Sequence, residues 1–112
     1  ADRGRTCAYQ LLRLSHPPSA IFAANDQSAV GVLEAAKELG VRIPEDVSLV
    51  GYDNIPEAQF YELTTIDQSL IQMGSMAVEL LIKLIEGENI DSAVIKLLPR
   101  LIIRRSCRAM SA

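Results

Sequence analysis

With 112 residues and a formal net charge of −3, the chain is long enough for one domain or part of one. Apolar residues make up 49% of it and charged residues 22%, as in soluble globular proteins. The acidic balance argues against nucleic-acid binding by this chain itself, which usually requires a basic patch. Charges interrupt every apolar run before the roughly 20 residues of a membrane span. The two cysteines, Cys7 and Cys107, do not make a disulfide framework.

The first twenty-four residues predict a helix end followed by a strand. Residues 1–5 lack periodicity and are expected to fray. Apolar residues at helical spacing follow them, and His16-Pro17-Pro18 stops that helix. The helical positions are Ala8, Leu11 and Leu12. Residues 20–24 form a continuous apolar run, which is typical of a strand covered on both faces.

A strand–helix–strand unit is the best-defined part of the sequence. The spacing predicts a helix over 26–39, with Asn25 or Asp26 as its N-cap and Gly40 just past its end. A second apolar strand follows over 47–52. The order predicts a right-handed βαβ unit and a parallel sheet, so the expected class is α/β.

The second half predicts shorter elements and one long helix. A helical turn is expected near 55–58 and a brief strand over 64–67. Ser69 and Gln72 form an S-x-x-Q capping box that opens a helix over about 70–86. Extended segments are predicted at 94–98 and 101–104, interrupted by Pro99. The apolar side of the long helix comprises Leu70, Met73, Ala77, Leu80, Leu81 and Leu84.

Polar residues follow each predicted parallel strand. Asn25 and Asp26 follow the first, Asp53 the second and Gln68 the third. Because ligands of parallel sheets bind beyond the carboxyl ends of the strands, these side chains form a candidate recognition edge. A carboxylate there can accept from two hydroxyl groups of a vicinal diol. The structural alternatives are a helix N-cap at Asn25 or Asp26 and an Asx turn at Asp53.

The sequence offers no pattern of catalysis or metal binding. His16 lies beside two prolines, and no serine or cysteine sits in a nucleophile elbow. Neither zinc spacing nor a glycine-rich phosphate loop is present. We therefore expect no enzyme activity, cofactor or metal. Basic residues near the C-terminus alternate with apolar ones and predict a solvated face. They are Arg100, Arg104, Arg105 and Arg108.

Four ordered blocks resemble the C-terminal part of lactose-repressor-type (LacI/GalR) transcriptional regulators. They are AIFAANDQSAVGVLEAAKELGVRIPEDVSLVGYDNIP, LTTIDQS, MGSMAVELLIKLIEG and LLPRLIIRRSC, and the resemblance covers about residues 17–107. It implies a type I periplasmic-binding-protein-like fold. In that fold a second-lobe βαβ region would span about 17–68, a crossover helix about 70–86, and C-terminal strands about 94–105.

The resemblance also implies roles for individual residues. Asn25, Asp53 and Gln68 match the ligand-contacting amide, the diol-binding carboxylate and the crossover amide of the family. Asp26 matches the residue that opens the helix and is expected to cap rather than to contact ligand. Asn54 stands where many members have a second aspartate. Candidates for dimer contacts are Val30, Leu33, Phe60 and Tyr61.

The implied protein is a cytoplasmic homo-oligomer that binds a small effector, by default a sugar. It would contact operator DNA only through an N-terminal helix-turn-helix that this chain lacks, and no membrane is involved. The helix over 70–86 packs in the other lobe of such regulators. Here we expect it to fold back on the sheet or to pair with another copy of the chain, since its apolar side favours burial.

Two other functions compete with this interpretation. A periplasmic sugar-binding protein of a transport system shares the Asn-Asp and Gly-aromatic-Asp blocks. A phospho-accepting receiver also has a strand-end aspartate such as Asp53. That chemistry requires an acidic cluster for Mg²⁺ and a lysine at a later strand end. The third strand ends instead in Asp67-Gln68, which disfavours the receiver.

Overall fold

The computed structural model describes residues 2–88 and 96–110. Its elements in chain order are α1 (Asp2–Leu12), β1 (Ala20–Phe22), α2 (Asp26–Leu39), β2 (Ser48–Val50), α3 (Pro56–Phe60), β3 (Thr65–Asp67), α4 (Leu70–Ile85) and β4 (Arg100–Ile102). Of the extended segment expected at 94–98, residues 94–95 lie outside the described residues and 96–98 form no strand.

The N-terminal residues are helical, so the expectation that residues 1–5 fray is wrong for 2–5. Gly4 is buried against α2, where an added Cβ would lie 2.2 Å from the backbone oxygen of Ser28. Only glycine lets the two helices approach so closely. The contact fixes the first turn of α1 on the packed part of the chain.

The strands form one continuous hydrogen-bonded series. β1 pairs in parallel with β2, from Ala20 opposite Ser48 to Phe22 opposite Val50. A parallel bridge between Val50 and Thr64 joins β2 to β3, and β3 pairs antiparallel with β4. The βαβ prediction is therefore confirmed, and the three parallel segments present their carboxyl ends on the same side.

The core lies between α1, α2 and the first two strands. It consists of Ala8, Leu12, Ala23, Ala29, Val32, Ala35, Ala36, Val47, Leu49, Ala58 and Leu63. Small alanines on α2 allow the helices to approach each other closely. The expectation that the first strand is covered on both faces is wrong, because Ile21 packs on this core while Phe22 on the other face is 63% exposed.

Helix α4 spans the predicted range, but its residues do not contribute to the core. None of its sixteen residues, all inside the described part of the chain, is buried. Within the single chain the helix therefore does not fold back on the sheet. The Cα radius of gyration is 18.3 Å, whereas a compact domain of this length has about 13 Å.

The predicted capping box at the start of α4 is wrong. Ser69 has a left-handed backbone, with φ 57°, and its side chain makes no capping hydrogen bond. Its backbone N–H instead donates to Asp67 Oδ1 over 2.7 Å. Across residues 2–88 and 96–110, no helix combines the length and apolar character that a bilayer crossing requires.

Candidate functional site

Hydrogen bonds beyond the strand ends bring the predicted polar residues to one edge. The backbone N–H of Asp26 donates to Tyr52 O over 2.9 Å, which places Asn25 beside the end of β2. The N–H of Asp53 donates to Ile66 O over 2.9 Å, which places Asp53 beside the end of β3. We call Asn25, Asp53 and Gln68, which follow β1, β2 and β3, the strand-end cluster.

Asp53 and Gln68 are in direct contact. Gln68 Nε2 donates to Asp53 Oδ1 over 2.6 Å. Both side chains are half-buried, and within the described residues the other carboxylate oxygen of Asp53 accepts no hydrogen bond. The side chain thus bonds to Gln68 rather than closing an Asx turn on its own loop. A carboxylate with one oxygen anchored and one available is suited to accepting a hydrogen bond from a ligand hydroxyl.

The helix cap lies at Asn25 and not at Asp26, where the family resemblance implies it. Asn25 is the N-cap of α2, since its Oδ1 accepts from the backbone N–H of Ser28 over 2.8 Å. The expectation that Asp26 acts as the cap is wrong. With its Oδ1 engaged in the cap, Asn25 can offer a ligand the Nδ2 donor.

Asp26 is a fully buried carboxylate that ties three segments together. Its Oδ1 accepts from the Thr65 hydroxyl over 2.6 Å, and its Oδ2 accepts from the backbone N–H of Ile55 over 2.9 Å. An added Cβ at Gly51 would lie 2.2 Å from Asp26 Oδ1, so only glycine leaves room there. The sequence offers a cue to this packing, because Gly51 lies inside the predicted strand 47–52 and a glycine in a strand indicates the close approach of another group.

The loop that carries Asp53 has an unusual backbone. Asp53 has φ 121° and Asn54 has φ 58°, both in the left-handed region. Residues other than glycine adopt this region at a cost of about 1–3 kcal/mol each and keep it only when their surroundings hold them there. Such strain is common where a side chain must be aimed at a ligand.

A polar network surrounds Asn54 on the side facing β3 and β4. Asn54 Nδ2 donates to Asp67 Oδ2 over 3.3 Å, and Arg104 Nη2 donates to Asn54 Oδ1 over 3.0 Å. Arg100 forms an ion pair with Asp67 at 3.5 Å. The Ser69 N–H lowers the pKa of Asp67 most, with further lowering from Asn54 and Arg100. Asp67 therefore stays ionised at neutral pH.

The expectation of a solvated basic face is wrong for Arg104. It is half-buried, and besides Asn54 its Nη1 donates to Leu63 O over 2.9 Å. Arg100, Arg105 and Arg108 are exposed as expected. The alternation of basic and apolar residues along a strand does not distinguish a solvated arginine from one such as Arg104, which bonds to Asn54, fifty positions earlier in the chain.

The candidate dimer residues differ in exposure. Phe60 is 79% exposed and stacks edge-on against Tyr61, with ring centroids 5.0 Å apart. Val30 on α2 lines a shallow cavity with Ile55 and Glu57. Leu33 is half-buried and packs against the core, so less of it is available to a partner.

Comparison with known proteins places this arrangement in a family. The sequence profile of the family described as periplasmic binding protein-like domain matches residues 1–107. The HTH-type transcriptional repressor PurR of Pasteurella multocida is 42% identical over 110 residues, which cover 96% of this chain and 33% of that protein. A LacI family transcriptional regulator from Lactobacillus casei, solved with bound sucrose, superposes with a TM-score of 0.83 at 31% identity. The chain belongs to the LacI/GalR branch of this family.

Another solved LacI/GalR structure agrees. The lac repressor dimer, bound to operator and the anti-inducer ONPF, gives a TM-score of 0.84 at 34% identity. The match covers 97% of this chain and 38% of that one, and the sucrose-bound match covers 95% and 40%. The chain spans about a third of the length of the curated LacI/GalR relatives it matches. Its α/β fold is that of a periplasmic binding protein-like domain.

Proposed function

We propose that this chain forms the effector-binding and dimerising part of a LacI/GalR transcriptional regulator. A small effector of the sugar class would bind at the strand-end cluster and alter operator binding by a helix-turn-helix elsewhere in the protein. The proposed role is sensory and cytoplasmic, without catalysis. The observation that carries it is the Asp53–Gln68 pair at the strand ends, in which the second Asp53 oxygen has no hydrogen-bond donor among residues 2–88 and 96–110.

The polar groups of the cluster suit a ligand with adjacent hydroxyls. Asp53 Oδ2 and Gln68 Oε1 are acceptors, and Asn25 Nδ2 is a donor. Two acceptors beside one donor complement a vicinal diol, whose two hydroxyls each donate to an acceptor while one of them also accepts. The sucrose in the Lactobacillus casei relative supports a sugar as the ligand class.

A titration of a longer regulator carrying this sequence tests the site. We expect Asp53→Ala to weaken binding of its sugar effector about tenfold or more, since it removes charge-assisted hydrogen bonds. Sucrose is the first probe, followed by other disaccharides, measured by calorimetry. Asp46→Ala is the control, because Asp46 pairs with Arg42 on the exposed surface. Equal affinities for Asp53→Ala and the parent would remove Asp53 from the site.

For the 112-residue chain alone we expect weak or undetectable sugar binding. In LacI/GalR-type domains the ligand lies between two lobes, and this chain resembles mainly the second. Saturable micromolar binding of sucrose by the chain alone, measured in the same calorimeter, would contradict this expectation.

The proposed dimer surface is formed by Val30, Leu33, Phe60 and Tyr61. The exposed aromatic pair supports it, since aromatic residues are enriched at the centres of interfaces. We expect Phe60→Ser to weaken dimerisation of the longer regulator in sedimentation equilibrium. Phe22→Ser is the matched control, because Phe22 is similarly exposed but lies on β1. An unchanged dimer constant for Phe60→Ser would exclude this surface.

The curated relatives decide against the transport alternative. They are named as transcriptional repressors, which supports a regulator over a periplasmic transport protein.

A further inference from the structure

We infer that Asn54 is a positioning residue whose side-chain amide holds the Asp53 loop against β3 and the segment after β4. This inference rests on the proposed function for its purpose, since the loop it holds carries the proposed ligand carboxylate. We call the link from Asp67 through the Asn54 amide to Arg104 the amide bridge.

The chemistry of the two partners requires a group in the middle of the bridge that both donates and accepts, as the Asn54 amide does. A carboxylate such as Asp67 only accepts, and a guanidinium such as that of Arg104 only donates. The group between them must therefore donate on one side and accept on the other. Asparagine does both, in the one orientation that satisfies both partners.

The bridge also explains why an aspartate would not serve at position 54. An aspartate at position 54 would place a carboxylate oxygen about where Nδ2 now lies, 3.3 Å from Asp67 Oδ2. Two ionised carboxylates at that distance repel each other. Arg100 and Arg104 offset only part of this repulsion, because the two facing carboxylate oxygens would still lie in contact with no hydrogen between them.

The backbone of the Asp53 loop is strained, and the bridge helps to hold it in place. Asp53 and Asn54 both have left-handed φ, and the backbone N–H of Asn54 donates to the Thr65 hydroxyl over 3.3 Å. That hydroxyl in turn donates to buried Asp26. Side-chain and main-chain contacts of Asn54 thus hold the loop at several points, and the loop fixes the direction in which Asp53 points.

The first experiment measures amide hydrogen exchange by NMR on the 112-residue chain without ligand. In Asn54→Ala we expect the Asp53 amide, which donates to Ile66 O, to exchange about tenfold faster. The amides of Ala23 and Val41 report on β1 and on the end of α2, and we expect them to stay unchanged. Gln10→Ala, which removes an exposed amide on α1, is the control variant. Unchanged exchange at Asp53 in Asn54→Ala would overturn the inference.

The second experiment exchanges the two bridge residues. Asn54→Asp should lower Tm by about 5 °C at pH 7, because two carboxylates then face each other. Adding Asp67→Asn should restore most of this loss. The amide introduced at position 67 can donate to the carboxylate introduced at position 54, and Arg104 still donates to that carboxylate. A double variant as unstable as Asn54→Asp would overturn the inference.

The dependence of Tm on pH for Asn54→Asp distinguishes loss of the bridge hydrogen bond from loss of side-chain packing. A protonated carboxyl group at position 54 can donate to Asp67 as the amide does, so the Tm deficit should shrink from pH 7 towards pH 4. The deficit of Asn54→Ala should not shrink in that range. The charged groups around position 54 are Asp26, Asp53, Asp67, Arg100 and Arg104.

These outcomes are independent of effector binding. If the exchange and rescue results hold while Asp53→Ala leaves sugar affinity unchanged, the bridge stands and the proposed ligand site fails. If Asp53→Ala weakens binding while Asn54→Ala leaves the Asp53 amide protected, the site stands and the bridge fails.

Discussion

Two helices of similar length behave in opposite ways in this chain. Helix α2 buries its alanines and Val32 against α1 and the sheet, and its ends are closed by Asn25 and Gly40. Helix α4 is more apolar, yet none of its residues is buried. Apolar content therefore does not by itself bring a helix into a core. The two helices differ in whether another part of the chain packs against their apolar side. Among the described residues, α1 and the sheet do so for α2, and no element does so for α4.

The largest expected difference between the two regions is in the cost of truncating a leucine. Leu49 on β2 is fully buried, so Leu49→Ala should lower the free energy of unfolding by about 2–5 kcal/mol. Leu84 on α4 is 56% exposed, and Leu84→Ala should change it by less than about 0.5 kcal/mol. Urea unfolding measures both. Comparable losses would mean that α4 is packed in solution, by self-association for example.

A glycine-to-alanine change should have opposite signs in the two regions. At Gly51 the new Cβ would clash with Asp26 and Leu63, so we expect a loss of about 1–3 kcal/mol. At Gly74 on α4 an added Cβ meets open space, and better helix propensity should yield a gain of about 0.5–1 kcal/mol. Thermal unfolding of both variants gives the signs. A neutral Gly51→Ala would show that the approach of Asp26 to β2 is loose.

The smallest expected effect concerns pH. The Arg42 side chain, followed by the Arg42 backbone N–H, lowers the pKa of Asp46 in the folded state. A lowered folded pKa means that the Asp46 carboxylate stabilises the fold above the unfolded pKa of about 3.9 and that this contribution is lost as pH falls through the folded pKa.

Thermal unfolding between pH 2 and pH 7 tests this expectation. The Tm of Asp46→Asn should lie slightly below that of the parent at pH 7, and the two should converge at the acidic end. Glu79→Gln on α4 is the control, since residues 2–88 and 96–110 give Glu79 no ion-pair partner. A constant Tm difference across the range would contradict the assignment to Asp46.

Local chemistry made the secondary structure predictable. Helix α2 begins and ends where the sequence predicts, because an asparagine cap and a left-handed glycine, with φ 71°, act within a few residues of each terminus. The start of α4 was predicted correctly, but for the wrong reason. Ser69 and Gln72 have the spacing of a capping box. However, the Ser69 N–H, which would donate to Gln72 in such a box, donates to the carboxylate of Asp67 instead.

The site was predictable only in part, for a physical reason. The sheet topology brings the strand ends to one edge, and the contact between Asp53 and Gln68 follows from it. The burial of Asp26 and the reach of Arg104 depend on contacts between positions 29 to 50 residues apart. Contacts between such distant positions leave no pattern in the neighbouring sequence. For this reason the buried Asp26 was expected to be a helix cap, and the half-buried Arg104 was expected to be solvent-exposed.

The left-handed backbone at Asp53 limits which side chains position 53 can carry. Replacing Asp53 by valine, isoleucine or threonine would change the side chain and lower stability at the same time, because branched residues disfavour φ 121°. Asparagine and glycine fit that geometry best. Engineering of the proposed ligand site is therefore better directed at Gln68, whose backbone carries no such constraint, than at Asn25, whose side chain also caps α2.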